Sequence, residues 1–281
     1  MSGKLFVVGT PIGNLSDFSP RAIETLTQAD FIAAEDTRVT IKLLNKFNIN
    51  TPMVSYHKFN THDKGDEICR RIENGENCAI VTDAGMPCIS DPGEMLVRQC
   101  ADRNIPVCVV PGPTALASAV AVSGLPTGRF TFEGFLSVNK PNRREHLLSL
   151  VNEQRTMVFY EAPHKLPATL RDMYKFFGDR RISIVRELTK VHEEVIRTTL
   201  SEAVEKYTDD NVKGEIVLVL EGAAAPVKTE STLEGAVELA MELMSTGISP
   251  SEAAKESAKL TGIKKGEIYK SILTNNMKEG N

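Results

Sequence analysis

The sequence has little of what marks a metalloprotein or a disulfide-stapled domain. Its five cysteines, Cys69, Cys78, Cys88, Cys100 and Cys108, form no C-x-x-C pair, and its five histidines are scattered. A zinc centre needs Cys or His ligands at short regular spacing, so no metal is expected. An odd set of thiols lying mostly in apolar runs predicts buried free thiols in a reducing cytoplasm. No G-x-x-x-x-G-K-[ST] occurs, no G-x-G-x-x-G follows the first apolar run, and there is no G-x-S-x-G elbow. These absences speak against a P-loop nucleotidase, a Rossmann dinucleotide enzyme and an α/β-hydrolase. Met1-Ser2-Gly3-Lys4 leads directly into a short strand-like run, too short for a signal-peptide core. The least polar stretch, 107–126, is interrupted by Pro111-Gly112-Pro113, so no membrane span is expected.

The chain instead has the composition of a globular protein, with 41% hydrophobic and 25% charged residues in 281. Its net charge is a mild −4, but residues 136–190 hold eleven Lys and Arg against six Asp and Glu. A local basic excess in an acidic chain suggests an anionic partner docking on one region.

From residue 4 to 124, short apolar runs alternate with amphipathic patterns. Strands are expected at 4–8, 30–34, 53–56, 78–82 and 106–110, and helices at 20–28, 38–47, 66–74, 93–103 and 113–123. Ser19, Thr37 and Pro113 serve as start signals, and Gly75 and Gly124 as stops. This alternation predicts a mostly parallel, doubly wound sheet. After Leu125-Pro126-Thr127-Gly128 the texture changes, with strand-like runs at 129–136, 156–160, 181–186, 191–199 and 214–221 and helices at 141–152, 164–177 and 201–207. The spacer between 186 and 191 is too short for a crossover helix, so antiparallel pairing enters here. Ala223-Ala224-Ala225-Pro226 reads as a linker to a tail with helices at 231–245, 250–260 and 265–275, broken at Gly247-Ile248-Ser249-Pro250 and Thr261-Gly262. The expected architecture is two α/β domains, 1–124 and 125–226, with a ligand cleft between them, plus a small helical domain over 227–281. The last two tail helices have helix-turn-helix spacing. With six Lys, four Glu and no Arg over 251–281, the tail reads as a structural or docking bundle, and no DNA partner is expected.

Three apolar runs end in Gly- and Pro-rich loops. Leu5–Val8 runs into Gly9-Thr10-Pro11-Ile12-Gly13-Asn14, and Val107–Val110 into Pro111-Gly112-Pro113-Thr114. Cys78–Val81 runs into Thr82-Asp83-Ala84-Gly85-Met86-Pro87, which continues through Ser90-Asp91-Pro92-Gly93. Ligands of open α/β sheets bind at this carboxyl edge, where glycine lets backbone approach closely. Four further strand ends mix cations with carboxylates or amides: Glu35-Asp36-Thr37-Arg38, Ser55-Tyr56-His57-Lys58-Phe59-Asn60, Tyr160-Glu161-Ala162-Pro163-His164-Lys165 and Arg186-Glu187-Leu188-Thr189-Lys190. Any one of them could be a solvated helix cap. Four basic clusters around one cleft would suit a phosphate-bearing substrate.

The ordered set of these motifs resembles the tetrapyrrole-methylase superfamily of class III S-adenosylmethionine methyltransferases, over about residues 4–221. Within it the resemblance is to members that methylate the ribose 2′-hydroxyl of a cytidine in the decoding region of 16S rRNA. It implies S-adenosyl-L-methionine as cofactor, the small ribosomal subunit as partner and a homodimer. The donor would be held by Pro11, Ile12, Asp83, Ala84, Gly85, Pro87, Pro111, Gly112, Thr114 and Ala115, and by Tyr160, Leu188, Glu215 and Ile216 from the second domain. Met86 and Cys88 stand where the family more often has smaller or branched residues, which leaves the backbone role of Gly85 and Pro87 intact. A ribose hydroxyl is weakly acidic, so transfer needs a base or strict orientation. Glu161, His164, Glu187 and Lys190 are the candidates, Glu161 first, with Arg38, His57, Arg144, Lys165 and Arg186 on the substrate's phosphates. The rival readings are a corrinoid methylase, a diphthine-type methylase, or an RNA-binding module without catalysis.

Overall fold

The computed structural model describes residues 2–58, 60–208, 212–224, 232–245 and 248–278. The first sheet is built from β1 (Leu5–Val8), β2 (Phe31–Ala34), β3 (Met53–Ser55), β4 (Cys78–Val81) and β5 (Val107–Val110). Its strands are all parallel, in the order β3-β2-β4-β1-β5. Every residue of β2 and β4 is buried, as a parallel sheet covered on both faces demands of its central strands. The covering helices are α1 (Pro20–Gln28), α2 (Thr37–Lys46), α3 (Thr61–Glu73), α4 (Gly93–Asp102) and α5 (Ala115–Val122). Two apolar clusters, one around Phe31, Ile68 and Leu96 and one around Leu26, Ile32 and Leu44, pack against its faces.

The second sheet is mixed. It contains β6 (Phe130–Phe135), β7 (Thr156–Glu161), β8 (Arg181–Arg186), β9 (Glu194–Thr199) and β10 (Ile216–Leu220), in the order β6-β7-β10-β8-β9. Only the β6–β7 pair is parallel; β10 runs antiparallel to β7 and β8, and β8 to β9. The helices α6 (Lys140–Ser149), α7 (Leu166–Phe177) and α8 (Leu200–Lys206) accompany it. Both sheets belong to one compact unit, residues 1–223. A third cluster, including Ile12, Ala119, Val185 and Val217, packs α5 and Ile12 of the loop after β1 against the second sheet.

The chain from 224 onward forms a separate unit. Its helices α9 (Leu233–Ser245), α10 (Pro250–Thr261) and α11 (Lys265–Lys278) close on Ala236, Ala240, Ala253, Ala254, Ile268 and Ile272. The small alanines permit close helix approach, and the buried Ser257 hydroxyl donates to the Ala236 carbonyl at 2.6 Å. Ser249 caps α10 and Gly262, at φ 75°, ends it.

The element boundaries depart from the sequence expectation in physical detail. Asp36, and not Thr37, caps α2, its carboxylate accepting from the Arg38 amide at 2.8 Å. The third helix starts at Thr61, five residues before the expected 66, and α5 starts at Ala115, leaving Pro113 in the preceding loop. Cys69, Cys78 and Cys100 are buried while Cys88 and Cys108 are partly exposed, and all five are free. Phe59, the linker residues Ala225 and Pro226, Ser231 and the break at Gly247 lie outside the described residues. Among the described residues no helix is long and apolar enough to cross a membrane, and no cluster of His, Cys, Asp and Glu has a metal-binding arrangement.

Candidate active site

The carboxyl ends of β1, β4 and β5 lead into three loops that bind one another before they can bind anything else. Thr10 and Gly85 exchange backbone hydrogen bonds, the Thr10 amide donating at 2.9 Å and the Gly85 amide at 3.2 Å. Gly85 holds φ 88°, and a Cβ there would meet Ile12 Cγ2 at 3.3 Å. Gly112 lies so close to Gly9 that a Cβ would sit 2.9 Å from its backbone. The contact between the β1 and β5 loops by itself therefore requires a glycine there.

Against this edge the second sheet presents the end of β7, the β8–β9 connection and the start of β10. Tyr160 ties the two together, its hydroxyl accepting from the Leu116 amide at 3.2 Å. Phe132 and Phe135 pack edge-on against the Tyr160 ring, with centroids 4.9 and 5.5 Å away. A register shift between Phe132 and Gly134, with Gly134 at φ 64°, turns the end of β6 so that Phe135 reaches the site.

Between the sheets lies a cavity of about 400 Å³, within the range of small-ligand pockets. Ile12, Ala84, Gly85, Thr114 and Ala115 line it from the first sheet, and Tyr160, Leu188, Glu215 and Ile216 from the second. Met86, Ile89, Ser90, Asp91, Phe135, Ala162, Pro163, Val185, Gly214 and Val217 complete the wall with Glu161. Pro11 and Asp83 line an adjoining groove instead, which shares Ile12, Ala84 and Glu215 with the cavity. Pro87, Pro111 and Gly112 line neither.

The charge of this wall differs from the sequence expectation. No Lys, Arg or His among the described residues lines the cavity, whereas Asp91, Glu161 and Glu215 do. The expected phosphate-binding residues lie elsewhere. Arg38 is exposed and grips Asp36. Arg186 pairs with Glu194 at 2.9 Å, and Arg144 is exposed on α6 beside a separate groove. Lys165 sits in a short 3-10 turn, and the His57 amide donates to Asn60 in the loop after β3. The basic excess over 136–190 is partly offset: Arg181 pairs with Glu221 and Arg186 with Glu194, both carboxylates beyond that window, while Arg143 pairs with Asp172 and Arg155 with Glu153 inside it.

The expected proton acceptors divide in the same way. Glu161 is buried, with Oε1 accepting from the Ala162 amide at 2.8 Å and Oε2 from the Thr169 hydroxyl. Oε2 thus holds β7 to α7, and Oε1 fixes the backbone turn that follows β7. His164 is exposed and outside the cavity wall. Glu187 accepts from Lys190 Nζ at 2.7 Å and from the Glu215 amide at 2.9 Å. The Lys190 hydrogen bond holds its carboxyl below the usual range, against the opposing effect of burial. Lys190 also lies 3.4 Å from Glu215, so this trio is an ion-paired strut across the β8–β9 connection.

Asp91, to which the motif alone gives no role, lines the cavity. It is half-buried, at the end of a loop in which Cys88 and Ser90 hold φ 73° and 63°. Such conformations are costly for non-glycine residues and concentrate at functional sites. Across the cavity Glu187 and Thr189 hold φ 54° and 65°. Burial first, and the Glu35 carboxylate second, push Asp91 up to about 6, with the nearby Thr82 opposing them. The Thr82 hydroxyl donates to Glu35 Oε2 at 2.6 Å, which holds that carboxylate in place. Asp91-Pro92-Gly93 is legible in the sequence as a helix start; that it faces the cleft is not, because the turn at Ser90 decides it.

A sequence profile of the family described as Tetrapyrrole (Corrin/Porphyrin) Methylases matches residues 4–204. A relative from Synechocystis sp., named ribosomal RNA small subunit methyltransferase I, is 46% identical over 95% of this chain and 96% of its own length. A relative of the same name from Thermotoga maritima is 50% identical over 78% of this chain and 99% of its own length. The fold is shared with uroporphyrin-III-C-methyltransferase from Thermus thermophilus, at TM-score 0.56 and 16% identity, covering 78% of this chain and 94% of that one. It is also shared with a diphthine synthase, at 0.57 and 13%, covering 78% and 90%. The chain belongs to the tetrapyrrole methylase family, in the branch whose members carry the name ribosomal RNA small subunit methyltransferase I.

Proposed function

We propose that this chain transfers a methyl group from S-adenosyl-L-methionine to the ribose 2′-hydroxyl of a cytidine in the decoding region of 16S rRNA. The coarser statement, methylation of small-subunit ribosomal RNA, follows from its relatives. The observation that carries the reading of the site is the sign of the cavity. Its wall is apolar and backbone-rich with three carboxylates and no cationic side chain, which suits a cationic sulfonium donor.

The donor supplies an electrophilic methyl on a positively charged sulfur. Gly85 and Ala84 offer backbone at closest approach, while Tyr160 and Leu188 exclude water from the far side. The nucleophile's proton must go to a basic group at the cavity wall. Asp91 is assigned this role because it lines the cavity and its carboxyl is raised to about 6, whereas both oxygens of Glu161 and Oε1 of Glu187 already hold structural hydrogen bonds. Asp91 would take the proton of the 2′-hydroxyl, and a donor held in the cavity would supply the methyl group to the oxygen and leave as S-adenosylhomocysteine.

A homodimer working on small subunits in the cytoplasm completes the proposal, and light scattering across a concentration series tests the dimer. The helical tail is assigned a docking role, since the Thermotoga maritima relative bears the same name while matching 220 residues. Isothermal titration with S-adenosylmethionine tests the cavity: saturable binding is expected, and its absence would leave an RNA-binding module without catalysis.

A further inference from the structure

Arg143, Arg155, Arg181, Arg186 and Lys190 of the second sheet are tied to carboxylates. A stripe of cations beside the cavity lies instead on α2. Arg38, Lys42 and Lys46 recur every four residues and are all exposed, while Thr40 and Leu44 on the other face are buried. Four residues advance an α-helix by about 6 Å and return nearly to the same face, so the three form a stripe. Among the described residues no carboxylate pairs with Lys42 or Lys46. Like charges four apart disfavour the helix that carries them, so the stripe costs stability and gains nothing inside the fold.

Its position is the second observation. Lys42 and Lys46 border the groove that shares Ile12, Ala84 and Glu215 with the cavity. The groove's other borders include Leu15, 44% exposed, and Lys190 from the opposite sheet. An acidic, apolar cavity thus opens beside a lysine-edged groove, and the two meet at the residues they share.

We propose that Lys42 and Lys46 carry the phosphates of the RNA strand flanking the target nucleotide. The shared wall then marks where the ribose meets the methyl group. An unpaired lysine releases only water and a counterion when a phosphate arrives, whereas Arg143, Arg155 or Arg181 would have to surrender an ion pair. The inference rests on the RNA reading proposed above.

The test is the salt dependence of binding to small-subunit RNA, compared between the wild type and a Lys42→Ala/Lys46→Ala double variant. Each lost phosphate contact lowers the slope of log affinity against log salt by about 0.7 on a single strand. Two lost contacts predict a slope smaller by about 1.4 and affinity about 25-fold weaker at 0.1 M salt. Affinity for S-adenosylmethionine should be unchanged, and the double Lys→Arg variant should restore the slope. An unchanged slope in the alanine variant overturns the track, and so does an equal loss of donor affinity, which would place the pair in the cavity's own function. A wild type with no salt-dependent RNA affinity would overturn the RNA reading itself.

Discussion

Replacing Asp91 by asparagine separates what the cleft costs from what it does. Its carboxyl is raised from 3.8 to about 6 by burial and by Glu35, with Asp83 adding to the repulsion and Thr82 opposing it. Cys88 and Tyr160 are the other titratable groups beside it, and its charge in turn raises both. Between these two pH values the folded protein binds a proton that the unfolded chain has released. Stability from this group is therefore complete below about pH 4 and is lost as pH rises through 6. A difference of that size corresponds to about 3 kcal/mol for a fully buried group. Asp91 is half-buried, and solvent screening reduces the figure to roughly 1 kcal/mol. A side-chain amide cannot ionise. Asp91→Asn should therefore match the wild type in urea unfolding at about pH 4 and exceed it by about 1 kcal/mol at about pH 7. Methyl transfer should move the other way. The variant should lose about 10²–10⁴-fold in kcat/KM, together with the wild-type limb near pH 6. Equal stability at both pH values would refute the electrostatic account, and an unaltered pH–rate profile would refute Asp91 as proton acceptor.

Three further outcomes follow from the loops around the cavity. Gly112→Ala places a Cβ 2.9 Å from the Gly9 backbone and should cost about 1–3 kcal/mol in urea unfolding, because backbone cannot yield as a flexible side chain would. Gly85→Val puts a β-branched residue at φ 88° against Ile12, and calorimetry should show donor binding abolished in a protein that still unfolds cooperatively. Thr169→Val removes the hydroxyl that donates to the buried Glu161 and should lower stability by about 1–3 kcal/mol; an unaltered midpoint would show that Glu161 does not depend on it.

The layered α/β architecture was legible because each parallel strand is a short continuous apolar run, such as Cys78–Val81, punctuated by Gly and Pro. The antiparallel turn of the second sheet was legible from the short spacer between Arg186 and Glu194. Charge was where the sequence misled. A count over 136–190 finds an excess, but part of it is offset by Glu194, Glu215 and Glu221, which lie beyond that window and arrive by strand pairing. Conversely, nothing in the sequence marks Lys42 and Lys46, and only the groove beside them sets them apart from any other exposed lysines of a helix. Gly112 illustrates a third kind of ambiguity, since a glycine in a loop looks the same whether a ligand or another backbone comes close. Phe135 had no signal, because it reaches the cavity through a register shift in β6.

The central claim is that the cavity between the two sheets serves methyl transfer to a ribose of small-subunit RNA. The most direct measurement incubates the purified protein with small ribosomal subunits and methyl-labelled S-adenosylmethionine, then locates the label by mass spectrometry of RNA fragments. The account predicts one labelled nucleotide, a cytidine of the decoding region carrying the methyl on its 2′-oxygen. A label on a base, or no label on RNA while a corrin precursor is methylated under the same conditions, would contradict it.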